Sequence, residues 1–127
     1  MPYVAETEAL DHAFMDLERL ANELDPPPSR LCLVGSPSLR IVLLHWSPGF
    51  ATVPHLHPGA EEIFRVIRGR AAFTIGDEPE REVGPGELVI ARRGIRHAIR
   101  VPEGGPLVLL AAVAPNEDRP DEQIELP

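Results

Sequence analysis

The sequence has few of the residues that mark several common protein classes. Its single cysteine, Cys32, lies in an apolar run, so the chain has no disulfide framework and we expect a buried, unreactive thiol. No apolar run approaches the roughly 20 residues that a membrane-spanning helix needs. The first residues, MPYVAETEALDHAF, lack the basic and apolar parts of a secretory signal. We therefore expect a cytoplasmic protein with no membrane partner.

Basic residues are also scarce relative to acidic ones. The chain has 12 lysines and arginines against 20 acidic residues, which gives a formal charge of −8. Because this charge repels polyphosphate backbones, we expect no nucleic acid partner. The glycine patterns of dinucleotide and phosphate sites are absent, as is the nucleophile elbow of serine hydrolases. A chain of 127 residues suffices for one core, and therefore for one principal site.

Near the start of the chain, apolar residues recur at spacings of four and three. They are Leu10, Phe14, Leu17, Ala21 and Leu24. This spacing predicts an amphipathic helix between Thr7 and Leu24, with Thr7 as its N-cap and the prolines at 26–28 after its end. We assign residues 1–29 to this helix and a proline linker. Its apolar face is expected to pack against the rest of the domain or a second subunit.

After the prolines, short apolar and β-branched runs alternate with turn signals. The runs are LCLVG, LRIVLLHW, EIFRVIRG, AAFTIG, ELVIA, HAIRV and LVLLAAV. Strands separated by glycine and proline in this way predict an all-β domain, a sandwich or a barrel. We place it at residues 30–115. Residues 116–127 are acidic and contain prolines, and we expect them to form a surface-hugging or mobile tail.

Three of the five histidines and one glutamate form a candidate metal site. His55 and His57 are separated by one residue, so in an extended segment both imidazoles project to the same side. A Pro-Gly turn follows and can bring Glu62 back beside them, and His97 comes after a second glycine-containing stretch. Imidazole and carboxylate donors together suit a divalent transition metal, which could be iron, nickel, zinc, manganese or copper.

The spacing of these residues resembles that of the cupin superfamily, in particular its small single-domain members. Gly49, His55, His57, Glu62 and Gly69 stand at every fixed position of the first cupin motif. A later segment is similar to the second motif at Gly86, Gly94 and His97. It departs from that motif in having Arg92 in place of a proline and Val101 in place of an asparagine. The resemblance covers about residues 38–113.

The resemblance implies an antiparallel double-stranded β-helix, or jelly-roll barrel, with the N-terminal helix outside it. It also implies a divalent metal bound by His55, His57, Glu62 and His97, and a homodimer. It does not fix the reaction, because cupins include dioxygenases, isomerases, lyases, storage proteins and ligand sensors. A barrel that keeps the motif without a metal, its histidines hydrogen-bonded to each other or to water, is the alternative for these residues.

Three further residues are candidates for a ligand pocket. Phe64 shares a strand face with Glu62, Trp46 belongs to a β run, and the guanidinium of Arg92 could clamp a carboxylate. We expect a small organic, oxygen-rich ligand as the partner. Dioxygenase, isomerase and lyase activities stay open, as do a non-catalytic ligand-binding or sensing protein and a purely structural barrel.

Overall fold

The computed structural model describes residues 13–117 of the chain. Helix α1 spans Leu17–Asn22. The strands that follow are β1 Ser29–Ser36, β2 Leu39–Trp46, β3 Glu61–Arg68, β4 Ala71–Ile75, β5 Arg81–Val83, β6 Leu88–Ala91, β7 His97–Arg100 and β8 Leu107–Ala114.

The strands form two antiparallel sheets. One sheet has five strands in the order β1-β2-β8-β3-β6, and the other has three in the order β5-β4-β7. Every pairing between strands is antiparallel. This arrangement confirms the predicted all-β, double-stranded β-helix fold. Strand β5 was not predicted, because its three residues include two exposed charged side chains and give no apolar run.

The main core lies between the two sheets. Alternate residues of each strand face inward, as the period of two in an extended chain requires. The larger sheet contributes Trp46, Phe64 and Leu109, and the smaller sheet contributes Phe73 and Ile99. Cys32 belongs to the same core and is buried, as expected.

The helix packs on the outer face of the five-stranded sheet. Ala21 is buried there against Leu31, Leu43 and Val108. Arg68 also contacts the helix, because its Nη2 atom donates to Glu18 Oε1 at 2.8 Å. In the part of the chain that the structure describes, no helix is long and apolar enough to cross a membrane.

The helix is shorter than the sequence predicts. The prediction is wrong for residues 13–16, which are not helical, and Thr7 and Leu10 lie outside the described residues. Asp16 is the N-cap instead, since its carboxylate accepts a hydrogen bond from the backbone N–H of Arg19 at 3.2 Å. The side chain of Phe14 is 92% exposed and therefore takes no part in an apolar helical face.

A glycine closes the turn between β3 and β4. Gly69 has a φ of +86°, a conformation that L side chains rarely adopt. A Cβ atom at this position would lie 2.5 Å from the carbonyl oxygen of Pro106. Glycine is therefore required here both by backbone conformation and by close packing against the segment that leads into β8.

Candidate metal centre

His55 and His97 lie directly opposite each other in an isolated antiparallel bridge. The N–H of His55 donates to the carbonyl of His97 at 3.0 Å, and the N–H of His97 donates to the carbonyl of His55 at 2.8 Å. Opposed residues in such a bridge project their side chains to the same face. The two imidazole rings accordingly lie 4.4 Å apart, measured between centroids.

His57 and Glu62 complete the cluster from the loop before β3 and from β3 itself. His57 projects inward like His55, and the intervening Leu56 is partly exposed. The carbonyl of His57 accepts a hydrogen bond from the N–H of Gly94 at 2.9 Å, which ties the two motif segments together. Glu62 lies on the inner face of β3 and is only 1% exposed.

The four side chains converge on one point. One candidate donor atom from each of His55, His57, Glu62 and His97 lies within 4.8 Å of the others. His57 Nε2 is 3.0 Å from Glu62 Oε1, and His97 Nε2 is 3.2 Å from the same oxygen. This cluster could hold a metal ion, because three imidazoles and a carboxylate are a suitable donor set for a divalent transition metal.

The Nδ1 atoms of His55 and His97 hydrogen-bond to backbone carbonyls. His55 Nδ1 lies 2.9 Å from the carbonyl oxygen of Val53, and His97 Nδ1 lies 3.4 Å from that of Ile95. A carbonyl oxygen can only accept, so each Nδ1 carries the proton and donates it. In the neutral form of these two rings, Nε2 then has a lone pair that is directed into the cluster.

The inner nitrogens of two rings are buried without a partner. Within residues 13–117, His55 Nε2 and His97 Nε2 have no hydrogen-bond partner, and both are shielded from solvent. His97 Nε2 lies 3.2 Å from Glu62 Oε1, but the two atoms are not in hydrogen-bonding geometry. Buried polar atoms are rarely left unpaired, because burial without a partner costs free energy. A cation bound at this point would satisfy both lone pairs.

Burial and the neighbouring charged groups shift the pKa values of the cluster residues. Burial lowers the pKa of His55. Burial also opposes a charge on His57, but hydrogen bonds and attraction from Glu62 and Glu117 outweigh it and raise the pKa of His57. Burial would favour a protonated Glu62, yet the neighbouring imidazoles of His57 and His97 lower its pKa instead. Glu62 is therefore a carboxylate, the form that binds metals.

Glu117 is a neighbour of the cluster that the sequence analysis missed. His57 Nδ1 donates to Glu117 Oε1 at 2.9 Å, and the N–H of Gly59 donates to Glu117 Oε2 at 2.9 Å. The preceding residue, Asn116, is hydrogen-bonded to the β1–β2 turn through the carbonyls of Ser36 and Pro37. The start of the expected tail is thus attached to the barrel, and its carboxylate orients one candidate ligand.

Two of the cavities among the described residues are lined by phenylalanine rings that contact each other. The smaller cavity, about 10 Å³, adjoins the cluster and is lined by Leu44, Trp46, Thr52, His55, Glu62, Phe64 and Ile99. The larger cavity, about 290 Å³, is lined in part by Phe73, Val83 and Val89. Phe64 lines the smaller cavity and Phe73 the larger, and the centroids of the two rings are 5.1 Å apart.

The three pocket candidates from the sequence have different positions. Trp46 and Phe64 are buried and line the smaller cavity beside the cluster. The ring of Phe64 also contacts that of His97 at 5.6 Å between centroids. The side chain of Arg92 is 71% exposed and pairs with Glu61 at 3.6 Å, and it lines neither cavity.

Comparison with known proteins agrees with the fold. A family model described as Cupin domain matches residues 42–113, which is more than half of the chain. A curated relative, dimethylsulfoniopropionate lyase DddQ from Ruegeria pomeroyi, is 36% identical over 75 residues. That match covers 54% of this chain, and the chain spans only 37% of the relative's length.

Solved structures show the same fold. The crystal structure of DddQ from Ruegeria pomeroyi has a TM-score of 0.63 and 30% identity, with 71% of this chain and 48% of that chain covered. The protein TT1209 from Thermus thermophilus has a TM-score of 0.72 and 28% identity, with 82% of this chain and 98% of that chain covered. A Klebsiella pneumoniae protein with a double-stranded β-helix domain has a TM-score of 0.70 and 21% identity. The match covers 91% of this chain and 96% of that chain.

Proposed function

This chain belongs to the cupin family, and on that premise we propose that it binds one divalent transition-metal ion and acts on a small, oxygen-rich organic ligand in the barrel. His55, His57, Glu62 and His97 hold the ion. One observation carries the proposal: the buried Nε2 atoms of His55 and His97 lack partners and face the carboxylate of Glu62.

The bound ion supplies Lewis-acid chemistry, or oxygen chemistry if it is iron. The protein positions the ion and shields it from solvent. Val53 and Ile95 fix the His55 and His97 rings through their backbone carbonyls, and Glu117 fixes His57. Phe64 and Trp46 provide the apolar wall beside the cluster.

We propose a lyase as the reaction class. Support comes from the similarity to a dimethylsulfoniopropionate lyase, although the chain spans only part of that protein. An ion held by His55, His57, Glu62 and His97 would supply the Lewis-acid stabilisation of negative charge on a substrate oxygen that an elimination needs. Dioxygenase and isomerase activities use the same donor set and are the competing enzymatic classes.

An oxygen-rich ligand is supported by Trp46. This residue lines the cavity beside His55 and Glu62, and its indole Nε1 is buried without a hydrogen-bond partner in the described part of the chain. An indole N–H can only donate. A ligand oxygen would supply the acceptor that residues 13–117 do not.

A non-catalytic role as a ligand-binding or sensing protein is the second candidate. The cavity beside the cluster, at about 10 Å³, has room for about one water-sized group, so only one atom of a larger ligand fits there. So small a space beside the cluster leaves little room for a second reactant next to the ligand, which favours binding without conversion.

We also propose a homodimer that uses the outer face of β3 and β6. Ile63 and Ile90 are register partners there and are 39% and 40% exposed, and the nearby Leu88 is 61% exposed. Exposed apolar side chains clustered on one sheet face are typical of an interface. Light scattering coupled to gel filtration should give twice the mass of one chain, whereas a monomer at all concentrations would contradict the dimer.

The enzymatic proposal is tested by assaying protein loaded separately with iron, zinc, nickel and manganese for cleavage of dimethylsulfoniopropionate and related small carboxylates. The expected result is turnover that depends on the metal and is abolished in a His97→Ala variant. Metal binding without turnover of any carboxylate tested would favour the non-catalytic alternative.

A further inference from the structure

One buried arginine side chain, that of Arg40, has two guanidinium nitrogens without a hydrogen-bond partner among the described residues. The side chain of Arg40, on β2, is only 5% exposed. Its Nε and Nη1 atoms are shielded from solvent and have no hydrogen-bond partner in residues 13–117. Six other arginines of the same range pair with a carboxylate, whereas no ion pair between residues 13–117 includes Arg40.

Strand register places Arg40 in the same row as a candidate metal ligand. Arg40 is opposite Val113 of β8, and Val113 is opposite Glu62 of β3. Adjacent strands are about 4.8 Å apart, so the backbones of Arg40 and Glu62 are separated by about 10 Å. Ala91 of β6 continues the row beyond Glu62.

Arg40 also shares the inward face of its strand. Alternate residues along β2 are Arg40, Val42, Leu44 and Trp46, and the last three belong to the core between the sheets. Val113, at the next position of the row, is likewise buried, with 1% exposure. The Arg40 side chain therefore starts from the inner face of the sheet, in the same row as Glu62.

A guanidinium in this environment is unfavourable unless something binds it. Taking a charge out of water is costly, and hydrogen bonds or an opposite charge must offset that cost. Arginine presents a planar fork of N–H donors that matches the two oxygens of a carboxylate. An organic anion would supply the acceptors that residues 13–117 do not.

We propose that Arg40 binds the carboxylate of a small organic anion whose other end reaches the metal cluster. This inference rests on the proposed function, since it names the substrate class of the same site. The separation of about 10 Å between the two backbones limits the ligand to a short molecule of a few carbon atoms. Arg40 thus takes the role of carboxylate clamp that the sequence suggested for Arg92.

The test measures binding of propionate and of its uncharged analogue propionamide by calorimetry. The full chain is used in zinc-loaded and chelator-treated forms, with Arg40→Met and Arg92→Met variants. We expect the dissociation constant for propionate to rise about 10- to 100-fold in Arg40→Met and to stay unchanged in Arg92→Met. Equal propionate affinity in Arg40→Met and the parent, or no preference of the parent for propionate over propionamide, would overturn the inference.

The thermal midpoint of the Arg40→Met variant shows whether Arg40 binds a ligand or has a structural role. Replacing a buried, unpaired charge by an apolar side chain of similar size should leave the thermal midpoint equal or higher. Propionate should raise the midpoint of the parent but not that of Arg40→Met. A lower midpoint for Arg40→Met together with unchanged propionate binding would assign Arg40 a purely structural role. If that variant does not fold, the Nε–H resonance of Arg40 in the parent should shift with propionate and not with propionamide.

Comparing the zinc-loaded and chelator-treated forms tests the carboxylate site and the metal function independently. Propionate binding that depends on Arg40 in a protein that takes up no metal would support the carboxylate site and refute the metal function. Propionate binding that depends on zinc but not on Arg40 would refute the carboxylate site and leave the metal function standing.

Discussion

His57 donates a hydrogen bond from Nδ1 to the carboxylate of Glu117 at 2.9 Å, although 60 positions of sequence separate the two residues. The second carboxylate oxygen accepts from the N–H of Gly59, in the turn between His57 and Glu62. Glu117 therefore fixes both the ring of one candidate ligand and the turn that leads to the next. Carboxylate partners of this kind set the tautomer of a metal-binding histidine and increase its basicity.

We expect Glu117→Ala to weaken metal binding about 10- to 100-fold, because His57 loses the acceptor that orients it. Glu117→Gln keeps an acceptor oxygen without the charge, and its effect should be intermediate. Competition titrations with a chromophoric chelator measure both affinities. Glu80→Gln is the matched control, since Glu80 pairs with Arg100 and not with a histidine. Identical affinities for Glu117→Ala and the parent would remove Glu117 from the site.

The indole of Trp46 provides a second prediction. Trp46→Phe removes the buried Nε1–H but keeps an aromatic ring stacked on Phe50, whose centroid lies 4.5 Å from that of Trp46. We expect unchanged metal stoichiometry and an affinity for acetate, measured on the metal-loaded protein, that is about 2- to 10-fold lower. Equal acetate affinity in both proteins would show that the indole does not contact the ligand.

Two glycines of similar backbone conformation differ in their surroundings. Gly69 has a φ of +86° and would place a Cβ 2.5 Å from the carbonyl oxygen of Pro106, whereas Gly86 has a φ of +95° and nothing within 4 Å. Gly86→Ala should cost about 1–2 kcal/mol of unfolding free energy from backbone strain alone. Gly69→Ala should cost more, because a clash adds to the strain. Chemical denaturation measures both, and equal losses would contradict the close packing of Gly69 on the segment before β8.

Metal removal should destabilise the fold. An ion that binds only the native state, present at 100 times its dissociation constant, raises the unfolding free energy by about 2.7 kcal/mol. We therefore expect a chelator to lower the thermal midpoint of the parent, and added zinc or manganese to restore it. A His55→Ala, His97→Ala double variant is the control and should show no response to either reagent. A parent midpoint that is insensitive to both would argue against a bound ion.

The fold and the four candidate ligands could be predicted because their signals are local. Apolar runs with glycine and proline between them predicted most of the strands, and the spacing of His55, His57 and Glu62 identified the cluster together with His97. The helix boundary was wrong because periodicity alone cannot tell whether an apolar residue is packed, and Phe14 is 92% exposed.

Glu117 was missed because it contacts a residue that is far away in the sequence. Glu117 is one acidic residue in an acidic segment, and only the position of Asn116 on the β1–β2 turn brings it to His57. A local signal for Arg40 did exist. It occupies an inward position, by the period of two, in the run LRIVLLHW, and a charge at such a position requires a partner.

The central claim is that His55, His57, Glu62 and His97 bind one divalent metal ion. Elemental analysis of protein purified without an affinity tag or added metal tests it most directly, with a His57→Ala variant prepared in parallel and circular dichroism to confirm its fold. We expect about one equivalent of a single transition metal in the parent and loss of that metal in a folded variant. Full occupancy in the variant, or a parent that neither contains nor takes up any metal, would contradict the claim.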